Sequence, residues 1–222
     1  MPRTIKVTGK GVIKLKPDMT RITITLEGLY PVYEQTIKKS AEDSGKLRDL
    51  LSQLGFDKED IKTLSFDVET RYEGYEAEDK SWKQRIAGYN FRHVFKLEFD
   101  SDNARLGRVL YALANAEGIE PEFRISYTVK DREAGKNALL GKAVEDAKAK
   151  AMVLAAAAGV ELSHISAVDY SWCDADLEVR PMATNMLRLK SSGTEDGACC
   201  DMDMVPDDIE VTDTVTVIWE IK

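Results

Sequence analysis

The stretch IAGYNFRHVFKLEF, residues 86–99, carries the clearest secondary-structure pattern in the chain. Every second residue from position 91 is aromatic or apolar, apart from one histidine: Phe91, His93, Phe95, Leu97 and Phe99. The residues between them are mostly charged. Successive side chains of a strand point to opposite faces, so this period of two predicts a long strand with one buried face.

Helical patterns lie on both sides of this strand. Residues 31–54 and 102–117 place apolar side chains three and four residues apart, and Gly55 and Gly118 stand where such helices end. A third, alanine-rich helix is predicted over 131–158, where small residues would let it approach its partner closely. Its predicted apolar stripe is Leu140, Ala143, Val144, Ala147, Ala151, Leu154 and Ala158.

Alternating patterns predict further strands at about 3–15, 21–27, 61–68, 122–129, 163–171 and 209–221. Residues 73–82 are polar and contain glycine, which predicts a hairpin loop. Strands separated by three helices indicate an α+β fold, with mixed or antiparallel sheets and three main helices packed on them. We expect one domain over residues 1–222, built as a single lobe or as two closely packed ones.

Composition narrows the classes of partner. The chain has 31 Lys and Arg against 39 Asp and Glu, a net charge of −8, which argues against nucleic-acid binding and against docking on an anionic membrane. No apolar run approaches the roughly 20 residues of a membrane span. The first residues lack a signal-peptide pattern, so we expect a cytoplasmic protein, or an exported one if a leader has been removed.

Residues 173–208 form an irregular acidic segment. It holds nine acidic and three basic residues and four of the seven methionines. A solvated insertion is one interpretation. The alternative is that apolar side chains at near-helical spacing contribute to self-association, because methionine adapts well to irregular protein surfaces. The residues in question are Met182, Met186, Leu187 and Leu189.

The cysteines and histidines do not form a recognisable site. Cys173, Cys199 and Cys200 lack the spacing of a disulfide framework or a zinc site, so we expect an idle loop and no metal or cofactor. His93 and His164 have no neighbouring motif that would make them general bases, so structural roles are expected. The sequence therefore predicts no catalytic residue and no enzyme.

Three other features have simple structural interpretations. Gly9-Lys10-Gly11 lacks the rest of a dinucleotide or phosphate motif and is expected to mark a strand bend. Asp146, Lys148 and Lys150 are expected on a solvated helix face. Trp82, beside the polar loop, is either a binding anchor or a residue that packs at a rim.

Five blocks in order resemble the SIMPL domain family, whose bacterial members include YggE-type proteins. They are VTGKGVIKLKPDMTRITITLEG (7–28), LGFDKEDIKTLSFDVETRYE (54–73), IAGYNFRHVFKLEF (86–99), GKAVEDAKAKAMVLAAAAGVELSHI (141–165) and DDIEVTDTVTVIWEI (207–221). The resemblance implies an α+β fold, ring-like or larger homo-oligomers and no agreed catalytic residues. It also implies varied roles, including envelope and oxidative-stress tolerance in bacteria and kinase-associated signalling in animals.

Together these observations predict a non-enzymatic self-assembling or protein-interaction protein, with a role in stress as an expectation from the resemblance. Its expected partners are copies of itself and, as a further option, another protein. The alternative is a small-ligand or metal-binding protein that uses the acidic Cys/Met segment or a cleft between helix and sheet.

Overall fold

The computed structural model describes residues 3–76, 80–170, 177–179 and 204–222. Within these ranges the elements are β1 (Thr4–Leu15), β2 (Met19–Tyr30), α1 (Tyr33–Gln53), β3 (Ile61–Glu76), β4 (Trp82–Asp100), α2 (Asn103–Ala114), β5 (Glu122–Thr128), α3 (Arg132–Ala158), β6 (Leu162–Asp169), β7 (Glu178–Val179) and β8 (Ile209–Ile221). The predicted α+β fold, with three helices packed on antiparallel sheets, is confirmed.

The chain divides into two compact units. The first unit comprises Met1–Asp18, Thr128–Val179 and Pro206–Lys222, and the second comprises Met19–Tyr127 and Arg180–Val205. In the first unit, β1, β8 and β6 form an antiparallel sheet in that order, and α3 lies on one of its faces. In the second unit the strand order is β3-β4-β2-β5, and α1 and α2 cover one face.

The contact between β1 and α3 is made by the smallest residues in the chain. A Cβ atom on Gly9 would stand 2.0 Å from the Ala143 carbonyl oxygen and 2.4 Å from the Ala147 nitrogen, and one on Gly11 would stand 2.3 Å from the Leu139 oxygen. The two glycines therefore let helix backbone lie almost against strand backbone. β1 pairs with β8 in unbroken register through both positions, so the two glycines do not interrupt the strand pairing.

The buried face of α3 repeats every four residues: Gly135, Leu139, Ala143, Ala147, Ala151 and Ala155. The predicted stripe was right for its three central alanines, but Val144 and Leu154 are exposed. The reason is the narrow contact with β1, which accepts one row of small side chains. A broader apolar stripe would hold the helix further from the strand.

Side chains of α3 also cover part of the free edge of β1. The Asp146 carboxylate accepts a hydrogen bond from the Lys10 backbone N–H at 2.7 Å, and the Lys150 ammonium donates to the Thr8 carbonyl at 3.5 Å. Asp146 also accepts a hydrogen bond from the Lys150 ammonium. This bond and the one from the Lys10 N–H lower the pKa of Asp146. Lys148 and Lys150 are exposed, as expected for a solvated face, and the close approach of α3 also brings Asp146 and Lys150 to the strand edge.

The second unit has a conventional apolar core between its sheet and two helices. It is built from β2 and β4 residues such as Ile24 and Phe95, with Leu47 and Leu51 of α1 and the apolar face of α2. Asp102 caps α2 by accepting from the backbone N–H groups of the next turn.

Strands β3 and β4 are longer than the sequence pattern predicted. They pair as far as Glu76 and Trp82, so residues 73–76 are strand and the loop prediction for them was wrong. Cross-strand contacts replace the missing apolar alternation, since Glu73 and Arg85 form an ion pair at 2.6 Å. Asp213 lies in regular pairing with Gly11, at a level of β8 that β6 does not reach.

Substitution of Gly9 by alanine tests the close contact. We expect Gly9→Ala to lower the free energy of unfolding by about 3 kcal/mol or more, because the new methyl group meets helix backbone and not a movable side chain. Gly141→Ala is the matched control on α3. Its added methyl group meets nothing within 4 Å, so the variant should gain roughly 0.5–1 kcal/mol. Urea unfolding monitored by circular dichroism measures both, and equal effects would contradict the close approach.

Tyr127 provides a second stability test. Its side chain is buried, its hydroxyl has no hydrogen-bond partner among the described residues, and burial raises its pKa. A buried unpaired hydroxyl costs about 1–3 kcal/mol, so Tyr127→Phe should leave the free energy of unfolding unchanged or raise it by about 1 kcal/mol. A clear loss of stability in the same urea titration would show that the hydroxyl is bonded.

Candidate functional site

The outer parts of β3 and β4 project beyond their sheet as a two-stranded arm. We define the arm as residues 71–76 of β3 and 82–88 of β4. The last pair between β2 and β4 joins Tyr30 to Tyr89, so β2 does not accompany the arm. Gly88 stands at this point with φ +156°, and a Cβ there would lie 2.5 Å from the Tyr30 carbonyl oxygen. Glycine therefore permits the chain to pass the end of β2.

The two faces of the arm differ in chemistry. Glu73 and Arg85 pair on one face, where the Arg85 guanidinium also lies 5.3 Å from the centre of the Tyr75 ring. The opposite face, called here the aromatic face, carries Tyr72, Trp82 and Ile86. The register places these residues on one side, because Tyr72 faces Ile86 and Glu76 faces Trp82.

Within the part of the chain that the structure describes, the aromatic face is uncovered. Trp82 is 77% exposed, Tyr72 63% and Ile86 54%. The Trp82 ring lies over Gly74, where a Cβ would be 3.6 Å away, so it packs on backbone and leaves its other side open. An isolated two-stranded ribbon is marginally stable in water, and clustered exposed apolar side chains are typical of interaction sites. Of the two interpretations of Trp82, the exposed position favours the binding anchor.

The apolar exposure continues along β3 towards its start. Leu64 is 54% exposed and Phe66 is 44% exposed. From position 62 to position 76 every residue of β3 is exposed except Val68, which is half-buried. β3 is the edge of its sheet, so its outward backbone groups point away from β4 and are available to another strand.

His93 is an ionisable group that hydrogen bonds and burial hold in place in the second unit. Its Nδ1 lies 2.9 Å from the Ser44 hydroxyl, and its Nε2 lies 3.3 Å from the Thr63 hydroxyl. Ser44 donates its one hydroxyl proton to the Ser40 carbonyl at 2.6 Å. Nδ1 must therefore be the donor to Ser44, and Nε2 accepts from Thr63. Both ring nitrogens of His93 are thus hydrogen-bonded, as expected, and in this arrangement His93 does not accept the proton of Ser44.

The pKa of His93 is lowered, first by burial and second by the nearby Arg48 guanidinium. The ring also packs against Phe95 at 4.0 Å and Phe66 at 5.0 Å between centres. The sequence reasoning had no means of finding these partners, because Ser44 lies 49 positions and Thr63 30 positions from His93. His164 lies on β6, where its Nε2 is 3.5 Å from Glu220.

A cluster of three charged side chains, Arg21, Lys96 and Glu98, links β2 to β4. The Glu98 carboxylate accepts from Arg21 at 2.7 Å and pairs with Lys96 at 2.9 Å. Burial raises the pKa of Glu98, but the hydrogen bonds and the positive charges of Lys96 and Arg21 together lower it by more, and the net direction is down. Arg21 and Glu98 are directly opposite in the strand register, which indicates a cross-strand bridge.

Other candidate sites are poorly developed in the described part of the chain. No three His, Cys, Asp or Glu side chains cluster there in a way that would hold a metal ion. The first unit has an open apolar depression lined by Val7, Ala149, Lys150, Val153 and Leu154. None of the described helices is long and apolar enough to cross a membrane.

The residues predicted for self-association, Met182, Met186, Leu187 and Leu189, lie outside the described residues, as do Cys173, Cys199 and Cys200. Part of the predicted irregular segment is described. Leu177 is buried with Ile13 and Val129 in the first unit, and Met204 packs against the core of the second. These positions are packed and not solvated, because their apolar side chains fill gaps beside each core.

The sequence matches the model of the family described as "SIMPL: Protein of unknown function (DUF541)" over residues 5–219. The chain belongs to the SIMPL family. Two similar proteins, both called 26 kDa periplasmic immunogenic protein, come from Brucella abortus (strain S19) and Brucella melitensis biotype 1. They are 23% and 22% identical to this SIMPL chain over 221 residues, which is 100% of the chain and 86% of each relative. The suspected resemblance is thus confirmed.

The His93 environment predicts a pH dependence of stability. The unfolded imidazole takes up a proton near pH 6.5, whereas the lowered pKa delays uptake in the folded protein. Stability is therefore present above pH 6.5 and lost as the pH falls towards the folded pKa. His93→Gln should lose less stability than the parent between pH 7.5 and pH 5 in urea titrations.

His164→Gln is the control, since it removes the chain's other imidazole from an exposed strand. Because it leaves His93 in place, it should keep the loss of stability that His93 contributes over the same pH range. An unchanged pH dependence in His93→Gln would contradict the neutral, hydrogen-bonded state assigned to His93.

Proposed function

We propose that this SIMPL protein acts without catalysis, by assembling with copies of itself through the aromatic face of the β3–β4 arm. The observation that carries the proposal is the exposure of Trp82, Tyr72 and Ile86 together on one face of a ribbon that has left its sheet. Large aromatic side chains in this position lose apolar exposure and gain ring contacts when they are covered. The description of the matched family names no task.

The chemistry of the described side chains supports the non-enzymatic part of the proposal. Ser44 and His93 are arranged so that the histidine donates to the serine, which is the reverse of nucleophile activation. Glu98 is engaged by Arg21 and Lys96 in a cross-strand bridge. Both groups are satisfied by neighbours within the second unit and serve to fix its strands.

The size of the surface indicates that the arm works together with other residues. A standard interface buries about 800 Å² on each partner, which is more than three side chains supply. The exposed Phe66 and Leu64 of β3 extend the same apolar area. The segment with Met182, Met186, Leu187 and Leu189 stays a prediction, and it would add a further contact.

The location of the protein forms a separate part of the proposal. The two Brucella relatives are named as periplasmic proteins, which supports the exported alternative for this chain over the cytoplasmic one. A role in stress tolerance remains an expectation from the resemblance. Neither point changes the physical argument for assembly, which concerns only exposed residues of the second unit.

Removal of the aromatic side chains tests the proposal. Because central aromatic residues carry much of the energy of an interface, the double variant Tyr72→Ala/Trp82→Ala should weaken self-association by about tenfold or more. Multi-angle light scattering across a concentration series measures the change. Tyr111→Ala is the matched control, since Tyr111 is 59% exposed on α2, which is not part of the arm. A parent protein with the mass of one chain at all concentrations would refute assembly.

A further inference from the structure

We infer that two copies of this chain join by antiparallel pairing of β3 with β3, in the register that places Glu69 opposite Glu69. The inference rests on the proposed self-association and specifies its geometry. The pairing would turn the sheets of two second units into one continuous sheet. Its partner is a second copy of the same chain, and its recognition elements are backbone hydrogen bonds, two ion pairs and two ring pairs.

The edge of β3 is suited to receive another strand. The register shift near its start adds Leu64 to β3, and the second shift adds Ala87 to β4, so β3 itself runs without interruption from Ser65 to Glu76. Free, regular edges are templates for pairing unless they are blocked. The edge of β1 is partly blocked by Asp146 and Lys150, and β6 has two register shifts within its eight residues.

Symmetry restricts the possible registers. A two-fold axis perpendicular to the sheet keeps each side chain on its own face, so residues that face each other must be an even number of positions apart. With Glu69 on the axis, Asp67 of one copy faces Arg71 of the second, and Phe66 faces Tyr72. Each of these pairs occurs twice in the dimer.

The side chains in these pairs are free to meet. Neither Asp67 nor Arg71 has an ion-pair partner among the described residues, and both are exposed. Phe66 and Tyr72 are 44% and 63% exposed. Opposite charges and paired rings directly across two strands are favourable contacts. Tyr72 also belongs to the aromatic face, so the pairing brings Phe66 of the second copy alongside it.

Neighbouring registers are less complementary. An axis at Thr70 would pair Glu69 with Arg71 but would set Asp67 against Glu73. An axis at Val68 would set Asp67 against Glu69. An axis at Tyr72 would pair Arg71 with Glu73, but Glu73 already binds Arg85 at 2.6 Å. The register at Glu69 has one unfavourable contact, between the two Glu69 side chains on the axis.

Charge reversal tests the ion pairs. Asp67→Arg sets the introduced arginine against Arg71, and Arg71→Asp sets the introduced aspartate against Asp67. Each variant alone should therefore associate about tenfold more weakly than the parent, because like charges face each other twice in the dimer. In a mixture of the two variants every facing pair is opposite in charge, and heterodimers should form with nearly the parent's affinity. Glu69→Gln removes the facing like charges and should tighten association by about two- to fivefold.

The controls separate folding from association. Arg71 faces Gly88 within its own sheet, so Arg71→Asp breaks no pair inside the chain, and thermal melting confirms that each variant is folded. Arg108→Asp makes the same charge change on an exposed position of α2 and should associate like the parent. Single variants that associate like the parent, or a mixture no tighter than its components, would overturn the register while leaving self-association intact.

A cysteine on the axis tests the geometry directly. In a background with Cys173, Cys199 and Cys200 replaced by serine, Glu69→Cys places two thiols opposite each other, within the reach of a disulfide. Mild oxidation should give a covalent dimer on a non-reducing gel. Tyr72→Cys places its two thiols six residues apart along the paired strands, about 20 Å, and should give no covalent dimer on the same gel. A dimer from Tyr72→Cys and none from Glu69→Cys would assign the rival axis at Tyr72 and overturn the proposal.

Discussion

The hydrogen-bonding groups at the edges of the two sheets are the constraint on which the rest of this structure depends. An open edge presents unpaired N–H and C=O groups that another strand can join. At β1 the protein satisfies some of them internally, with Asp146 bound to the Lys10 N–H and Lys150 bound to the Thr8 carbonyl. That solution requires Gly9 and Gly11, because any larger residue would hold α3 away from the strand. At β3 the described residues offer no comparable cover, and the strand is long, regular and exposed.

This contrast between the edges connects the fold to the proposed function. The helix of the first unit covers a sheet face and also part of the β1 edge, whereas the helices of the second unit cover a face and leave β3 open among the described residues. The arm then adds aromatic side chains at the end of the open edge, where they contribute little to the core of their own chain. His93 sits behind this edge, and its hydrogen bonds to Ser44 and Thr63 join α1, β4 and β3. His93, which by residue type is a candidate general base, therefore helps to hold β3 in place.

The sequence was informative wherever a local pattern determined the outcome. The alternation in residues 86–99, the glycines after the helices and the five family blocks led to the α+β fold and to the SIMPL family.

The sequence was less informative where two contacting residues lie far apart along the chain. The alanines of α3 indicated a close approach, but Gly9 and Gly11 were interpreted as a bend because their contact is more than 125 residues away. The arm was missed because its strands are held by cross-strand pairs such as Glu73 with Arg85, which leave no apolar alternation. The contacts of His93 were hidden for the same reason, and the predicted Met182 segment lies outside the described residues.

Hydrogen exchange of the backbone amides as a function of protein concentration tests the central claim most directly, because pairing at an edge changes the N–H groups of that edge first. The account predicts that the amides of Ser65–Glu73 that point away from β4 exchange rapidly in dilute protein and become protected as the mass rises. The amides of β6 should keep the same exchange rates. Association that leaves the exchange of β3 unchanged, with new protection on another element, would contradict the account.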